Sequence, residues 1–281
     1  MYLVTTVDDL GLHIAVRRSV KSLAHAGRIT SASLLTNGPD AEESLKIEDI
    51  GIGVQLNVLR GRPLSPQAGV SSLLGHDGRF LRDYGELFRR FLSGKIILSQ
   101  IESEWAAQIQ WMIDHGVKPT HLTSERSMHA WPGLMGVAGK LAEQYGVGWV
   151  RRPQQCEAVL KDDSGRMRKE FMNICSMLQR QPEPVESPDL VWGQDQEQGD
   201  GQPESLLRDL RGSSYEVVEV VFRPGNWQEG DEAVTGGFEP GPTQVEWGTA
   251  LATLEGRNWG LALEELGVNR VDFRAIDRSG K

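Results

Sequence analysis

Strand-like and helix-like patterns alternate along this chain from its first residues. A short apolar run, Tyr2–Val7, is followed by Ile14–Ala26, in which Val16, Val20 and Leu23 recur at helical spacing. Strands that alternate with helices form βα units, and such units build a largely parallel sheet. At 281 residues the chain is long enough for one large α/β domain, since α/β barrels routinely use about 200–250 residues. We therefore expect an α/β fold of mainly parallel strands.

The same patterns predict the remaining elements in outline. The predicted strands are Ser31–Leu35, Ile50–Leu59, His121–Thr123, Gly148–Val150, Leu190–Trp192, Val217–Phe222 and Val271–Arg274. The predicted helices are one capped by Ser99 and ended by Gly116, then Pro132–Tyr145, Glu204–Leu210, Val245–Leu254 and Trp259–Leu266. Two regions interrupt the alternation and are predicted to be irregular loops, Arg60–Lys95 and Gln181–Pro203. We see no domain boundary and expect one domain over residues 1–281.

The charge balance limits the partners of the chain. With 30 basic and 39 acidic side chains the formal net charge is −9, whereas nucleic acids and anionic membranes are bound through basic surfaces. The apolar run Tyr2–Val7 is too short for a leader segment or for a membrane span of about 20 residues. Cys156 and Cys175 have neither zinc-site spacing nor the density of a disulfide scaffold. We therefore expect a cytoplasmic protein that binds no nucleic acid and crosses no membrane.

An acidic pair, Asp8 and Asp9, follows the first predicted strand. Ligands of α/β barrels gather at the carboxyl ends of the strands, and two adjacent carboxylates there can act as metal ligand and general base. The structural alternative is a helix-capping aspartate beside a solvated one. Gln55, Glu125 and His129 follow other predicted strands, so we expect them to meet the acidic pair at one mouth of the fold.

Several longer stretches resemble a known family. They are Val7–Leu12, Gly27–Leu35, Gly53–Leu64, Pro119–Pro132, Val150–Pro153, Asp189–Gly193 and Val221–Gly225. Their residues and their order are similar to those of the YdjC-like carbohydrate deacetylases, which include chitooligosaccharide deacetylases and hopanoid-associated relatives. The resemblance spans most of the chain.

This resemblance implies a fold, a reaction and roles for the acidic pair. The family fold is an irregular TIM-like (β/α) barrel in which an aspartate and two histidines bind one divalent metal. A neighbouring aspartate activates water for attack on the N-acetyl group of a sugar, while the metal lowers the pKa of the water and polarises the carbonyl. By resemblance, Asp9 matches the metal-binding aspartate and Asp8 matches the general base.

Several histidines of the family pattern are replaced in this chain. Gln55 stands at the histidine of a G-x-H-x-N-like strand, and Arg223 stands at the histidine of H-P-G. The family run D-S-H-x-H-x-H reads Thr123-Ser124-Glu125-Arg126-Ser127-Met128-His129. Only the last histidine of that run is kept. An amide oxygen is a weaker ligand than imidazole for zinc-like metals, so the affinity for such a metal should fall sharply.

Two hypotheses about the site stay open at this point. In the first, Asp9, Gln55 and Glu125 form an oxygen-rich site for Mg²⁺, Mn²⁺ or Ca²⁺ rather than zinc, and the chain is an active deacetylase with Asp8 as its base. In the second, arginines pair with the carboxylates, no metal is needed, and the barrel binds a glycan or a protein partner with impaired or altered catalysis.

The candidates for arginine pairing and for substrate contact overlap. Arg126, Arg151 and Arg223 are the candidates for pairing with the carboxylates. The expected substrate is an N-acetylated sugar or another small glycan, and its candidate contacts are His129, Trp131, Arg151 and Arg223. The remaining histidines in helix or loop patterns, namely His13, His25, His76 and His115, are interpreted as solvated. A homodimer whose interface matters more than its pocket is a third hypothesis.

Overall fold

The computed structural model shows an α/β fold built on one curled sheet of parallel strands. It describes residues 1–152, 185–193, 202–239 and 241–276. Neighbouring strands follow the order β5-β4-β3-β2-β1-β7-β6, and β8 pairs with the start of β1. The strands in these residues are β1 Tyr2–Leu10, β2 Ser31–Leu34, β3 Gly51–Leu56, β4 His121–Ser124, β5 Trp149–Val150, β6 Leu190–Trp192, β7 Val217–Phe222 and β8 Asn269–Arg270. This curled parallel sheet matches the TIM-like barrel that the resemblance implies.

Helices follow most of these strands. They are α1 Ile14–His25, α2 Ala41–Ser44, α3 Tyr84–Leu92, α4 Leu98–Asp114, α5 Leu134–Tyr145, α6 Pro203–Leu210, α7 Gln244–Glu255 and α8 Arg257–Leu266. Short 3-10 segments lie at Gln67–Leu73, Glu125–Ala130 and Phe273–Ala275. Among the described residues, no helix combines the length and the apolarity that a membrane crossing needs.

The inner face of the curled sheet is polar above an apolar floor. The floor is a separate cluster of buried side chains, namely Val4, Trp149, Val217, Phe273 and Ile276. Alternate residues of a strand face the same side, so Asp8 on β1 and Glu219 on β7 both point inward above this floor. The rest of the core lies between the sheet and the helices outside it.

The chain just before β6 pairs with the edge of β5 at one residue. The backbone of Glu186 pairs with β5: Val150 N–H donates to its carbonyl at 2.9 Å, and its own N–H donates to the Gly148 carbonyl at 2.9 Å. The chain enters β6 a few residues later. The barrel is therefore irregular between these two strands.

The expected order of elements is confirmed, with four corrections at boundaries. The predicted strand Ile50–Leu59 ends at Leu56, because the Asn57 side chain accepts from Leu59 N–H and turns the chain. Ser99 does not cap a helix. That helix begins at Leu98, where the Ser72 hydroxyl accepts from Ile97 N–H at 3.1 Å.

The other two corrections concern a proline and the last predicted strand. Pro132 lies outside α5, which begins at Leu134 after Gly133 in the left-handed region. The predicted strand Val271–Arg274 is instead a short 3-10 segment, because the Asp272 carboxylate accepts from Arg274 N–H at 2.7 Å. The strand lies just before it, as β8.

The two regions predicted to be irregular have different outcomes. Residues 60–95 contain the 3-10 segment Gln67–Leu73 and the helix α3 as well as loops. Of residues 181–203, positions 181–184 and 194–201 lie outside the described residues, and Leu190–Trp192 forms β6 as predicted.

The segment between β7 and α7 packs onto the loop that follows β3. Gly61 N–H donates to the Gly237 carbonyl at 3.0 Å, and the buried Phe238 ring lies 5.6 Å from the Arg60 guanidinium carbon. A Cβ atom on Gly61 would come within 2.5 Å of the Phe238 ring. Only glycine fits this contact.

We expect Gly61→Ala to cost more stability than Gly116→Ala. Both glycines have a φ of +82°, so both substitutions cost about 1–2 kcal/mol in backbone strain. A Cβ on Gly116 would have nothing within 4 Å, whereas one on Gly61 would push against Phe238 and add about 1–3 kcal/mol of overpacking. Urea unfolding of the two variants measures the difference. Equal losses would show that the Gly61–Phe238 contact is loose.

Candidate functional site

The acidic pair lies at an irregularity in β1, at the carboxyl end of the strand. The pairing of β1 with β2 shifts register between Val7 and Leu10, and Asp9 takes a φ of +64°, in the left-handed region that aspartate tolerates better than most residues. Asp9 N–H then donates to the Gln55 side-chain oxygen at 2.8 Å instead of to a strand. The two adjacent carboxylates consequently take different partners.

Gln55 presents its amide nitrogen, not its oxygen, to the carboxylates. Its oxygen accepts from Asp9 N–H, which fixes the orientation of the amide. Its Nε2 therefore donates to Asp9 Oδ1 at 2.8 Å and faces Glu125 Oε2 at 3.4 Å. In this position Gln55 is a hydrogen-bond donor to the expected metal ligands.

Two arginines lie against the same carboxylates at the mouth of the barrel. Arg60 Nη2 lies 2.8 Å from Glu125 Oε2 and 3.6 Å from Asp9 Oδ1. Arg223 Nη2 lies 3.5 Å from Asp8 Oδ2, and its Nε lies 3.6 Å from Asp9 Oδ2. Arg126, a sequence candidate for this pairing, is exposed and takes part in none of these contacts.

A third arginine, Arg151, joins two carboxylates inside the barrel. Its two terminal nitrogens donate to the two oxygens of Asp8 at 2.8 and 2.9 Å. Its Nε and Nη2 donate to the two oxygens of Glu219 at 2.9 and 2.8 Å. All three side chains are at least 98% buried. We call Asp8, Arg151 and Glu219 the buried triad.

The triad fixes the charge state of Asp8. Burial alone would raise the pKa of this carboxyl, but the charge and hydrogen bonds of Arg151, with smaller contributions from Arg223 and Ser33, hold the pKa below its ordinary value. Burial likewise disfavours the charge of Arg151, but Asp8 and Glu219 outweigh it and raise the pKa of the guanidinium. Asp8 is therefore ionised, fully paired and a weak base.

His129 supports the triad through the backbone of Arg151. Its Nε2–H donates to the Arg151 carbonyl. Its Nδ1 therefore accepts from the Ser124 hydroxyl, with Nδ1 and Oγ 2.5 Å apart. Burial lowers the pKa of His129 to about 4, which keeps the ring neutral. Both ring nitrogens are occupied by the protein, so His129 positions Arg151.

The aromatic candidate for substrate contact, Trp131, lies in the core. Trp131 is buried against the rings of Tyr84, Phe88 and Phe91, with ring centroids 4.8–5.6 Å apart, and belongs to the core. The structure does not group it with the carboxylates.

The interpretation of His13 as solvated is wrong. Its ring stacks on Trp227 at 5.1 Å and on Trp247 at 5.4 Å, and only 8% of the residue is exposed. Its Nδ1 accepts from Ala15 N–H at the start of α1, and its Nε2 donates to the Glu232 carbonyl. His13 fixes the segment after β7 to α1.

The residues at the mouth do not fit the divalent metal that the resemblance implies. A metal needs lone pairs, but Gln55 directs N–H groups at Asp9 and Glu125, and Arg60 already lies against both carboxylates. Within residues 1–152, 185–193, 202–239 and 241–276, no three histidine, cysteine, aspartate or glutamate side chains are grouped to hold a metal ion.

Sequence reasoning missed Arg60 and Glu219. Glu219 carried a usable signal, because it is the one charged residue in the apolar strand Val217–Phe222, and a buried charge requires a partner. Arg60 carried none, because it lies in a region without periodicity and its partner Glu125 is 65 residues away.

Comparison with known proteins places this chain in a family. A profile of YdjC-like proteins matches residues 2–258, nearly the whole chain and all of the residues at the mouth. The chain belongs to the YdjC-like family. The expected resemblance is confirmed.

Relatives within the family include proteins named carbohydrate deacetylase. The one from Homo sapiens is 35% identical over 159 residues, which cover 54% of this chain and 49% of the human protein. The one from Geobacillus stearothermophilus is 32% identical over 51% of this chain and 57% of its own length. The one from Oceanobacillus iheyensis is 27% identical over 78% of this chain and 83% of its own length. The chain thus matches about half the length of several of these relatives.

A solved structure shares the fold over nearly the whole chain. It is a crystal structure of an Enterococcus faecalis protein provisionally named a cellobiose-phosphate cleavage protein. The TM-score is 0.72, the identity is 21%, and the match covers 98% of each chain. At this identity the likeness supports the fold alone.

We expect Glu219→Gln to destabilise the protein by about 1–3 kcal/mol, because the amide NH2 that replaces one carboxylate oxygen leaves a buried N–H of Arg151 without its acceptor. The matched control is Glu43→Gln, which removes an exposed ion pair to Lys46 and should change stability little. Urea unfolding measures both. A loss for Glu219→Gln no larger than that of the control would show that the buried triad does not stabilise the barrel.

Two buried histidines predict that the fold weakens in mild acid. Burial lowers the pKa of His129 to about 4 and that of His121 to about 3, from an ordinary value of 6.5. In the unfolded chain both histidines have their ordinary pKa, so they bind protons at pH values at which they stay neutral in the folded protein. Their contribution to stability is therefore complete above pH 6.5 and is lost as the pH falls toward the folded values. For His129 the full difference is about 3 kcal/mol.

The measurement is urea unfolding of wild type, His129→Gln and His115→Gln at about pH 7.5 and about pH 5. His115 is exposed and serves as the control. We expect wild type and His115→Gln to lose the same amount of stability between the two pH values and His129→Gln to lose less. An unchanged loss in His129→Gln would contradict the assignment of the neutral ring.

Proposed function

We propose that this YdjC-like chain binds an N-acetylated sugar or another small glycan at the mouth of its barrel without deacetylating it. The names of its relatives supply the class of ligand. The observation that carries the proposal is the pairing of Asp8: both of its oxygens are bound by Arg151, which Glu219 holds from the other side.

The pairing of Asp8 argues against hydrolysis. A general base needs an oxygen within reach of the attacking water and a pKa near the working pH. Asp8 is 1% exposed, both of its oxygens are engaged, and its pKa is lowered. Water activation by Asp8 would require its two hydrogen bonds from Arg151 to break, at the cost of a buried bidentate ion pair.

The outer part of the site keeps the groups that recognise sugars. Arg223 is 29% exposed and lies beside Asp9, so a guanidinium and a carboxylate border the mouth together. Sugar hydroxyls donate to carboxylates and accept from guanidinium groups, and a few such groups fix the orientation of a bound ligand. Trp227 is half-buried four residues beyond Arg223, and we propose its ring as the apolar contact for a sugar face.

The alternative function is active deacetylation, with a cation held by Asp9, Gln55 and Glu125 and with Asp8 as base. One observation favours it: Asp9 and Glu125 converge on a single nitrogen of Arg60. It requires Arg60 to leave and the Gln55 amide to turn over. A cytoplasmic location, the single domain and the homodimer stay predictions from the sequence.

A paired measurement separates the two functions. We expect N-acetylglucosamine and its β-1,4-linked dimer to give saturation-transfer NMR signals with the wild-type protein. We expect no acetate release when Mg²⁺, Mn²⁺, Ca²⁺ or Zn²⁺ is added. Arg223→Met should weaken binding about tenfold, the equivalent of about 1.4 kcal/mol, while Arg82→Met, a change at an exposed arginine paired with Asp77, should not.

Acetate release by the wild type that Asp8→Asn abolishes would overturn the proposal in favour of the deacetylase. Absence of binding to either sugar would remove the glycan from the proposal.

A further inference from the structure

Arg60 is the residue on which the two outer carboxylates of the mouth converge. Its Nη2 atom is 2.8 Å from Glu125 Oε2 and 3.6 Å from Asp9 Oδ1. Only 12% of its side chain is exposed, and each of the two carboxylate side chains is 6% exposed. Two negative charges and the positive charge of Arg60 are therefore held together, largely out of water, and Arg223 Nε lies 3.6 Å from the other oxygen of Asp9.

The backbone around Arg60 is held in place by asparagines. The Asn57 side-chain oxygen accepts from Arg60 N–H at 3.1 Å, and the Asn57 amide donates to the Arg60 carbonyl at 2.8 Å. Asn37 donates to the same carbonyl at 3.0 Å. The Phe238 ring covers the guanidinium. The backbone of Arg60 is thus fixed by hydrogen bonds and its guanidinium is covered by a ring, unlike an arginine that moves freely on a surface.

The carboxylates need a cation at this position. Two like charges that are nearly buried repel each other, and each loses hydration, so an uncompensated pair is strongly unfavourable. Gln55 donates to Asp9 but carries no charge. Burial disfavours the charge of Arg60, yet Glu125 and Asp9 outweigh it and raise the pKa of the guanidinium, so the positive charge is permanent.

We propose that Arg60 is the resident cation of this site and occupies the place of the divalent metal that the family resemblance implies. The chain then needs no metal to neutralise Asp9 and Glu125, and it excludes one. This inference concerns the cation at the mouth and is independent of whether a sugar binds there.

The test is a gain of metal binding when the guanidinium is removed. Arg60→Gln keeps a hydrogen-bond donor for Glu125 but removes the charge, and Arg60→Met removes both. Arg60→Lys keeps the charge and is the matched control. Each protein is titrated with Mn²⁺ alone, by calorimetry and by the loss of the free-ion electron paramagnetic resonance signal.

We expect wild type and Arg60→Lys to show no saturable binding up to about 1 mM Mn²⁺. Arg60→Gln and Arg60→Met should bind one equivalent at least about tenfold more tightly than wild type. Adding Glu125→Gln to either variant should abolish the gain, because it removes one of the two carboxylates that the metal would neutralise.

A variant that fails to fold is still informative. If loss of the cation unfolds Arg60→Met, Mn²⁺ should restore its circular dichroism and its thermal transition, because a ligand that binds only the folded state stabilises that state. The double variant Arg60→Met/Glu125→Gln should show no such rescue.

Two results would overturn the inference. One is a wild-type protein that binds one equivalent of Mn²⁺ and loses it on Asp9→Asn. The other is a pair of neutral Arg60 variants that neither bind Mn²⁺ when folded nor recover their fold when it is added.

Discussion

The buried triad is the interaction on which the rest of this barrel depends. Arg151 follows β5, at one edge of the curled sheet, while Asp8 and Glu219 belong to β1 and β7 near the other edge. Ion pairs of this kind cost much desolvation, and they stabilise only when geometry and hydrogen bonding are complete. Here both carboxylates are bidentate, and His129 holds the Arg151 carbonyl. The buried ion pairs therefore also join the two sides of the curled sheet.

The same arrangement separates the fold of the YdjC-like family from the chemistry of its site. Asp8 and Asp9 lie at the carboxyl end of β1, where the strand positions both carboxylates at the mouth. Three guanidinium groups lie against these carboxylates, those of Arg60, Arg151 and Arg223. Each fills the space beside a carboxylate and neutralises its charge, and another ligand would need both that space and that charge. The arginines therefore determine what the two carboxylates can do. A shared barrel therefore does not by itself carry a shared reaction.

The sequence predicted what local patterns control and missed what distant partners control. Strands such as Val217–Phe222, which is apolar apart from Glu219, are short apolar runs, so their place in the sheet follows from the residues alone. The end of β3 did not follow, because an Asn57 side chain, and not a breaker residue, turns the chain there. His13 was misread for a similar reason: its burial depends on Trp227, Trp247 and a carbonyl 219 residues away. Arginine pairing at the acidic site was foreseen as a hypothesis, but the choice of Arg60 required the folded geometry.

The strand order has a consequence for how this chain acquires its structure. β1 pairs with three strands, yet the partner that covers one of its edges, β7, begins at Val217, and β8 follows only at Asn269. Contacts between segments so far apart in sequence form slowly, because a long loop must close before they contribute. Until β7 arrives, the hydrogen-bonding edge of Tyr2–Val7 is open, and an open apolar edge is prone to pairing with other chains. The edge of β1 therefore stays without this partner until residues 217–222 have been synthesised.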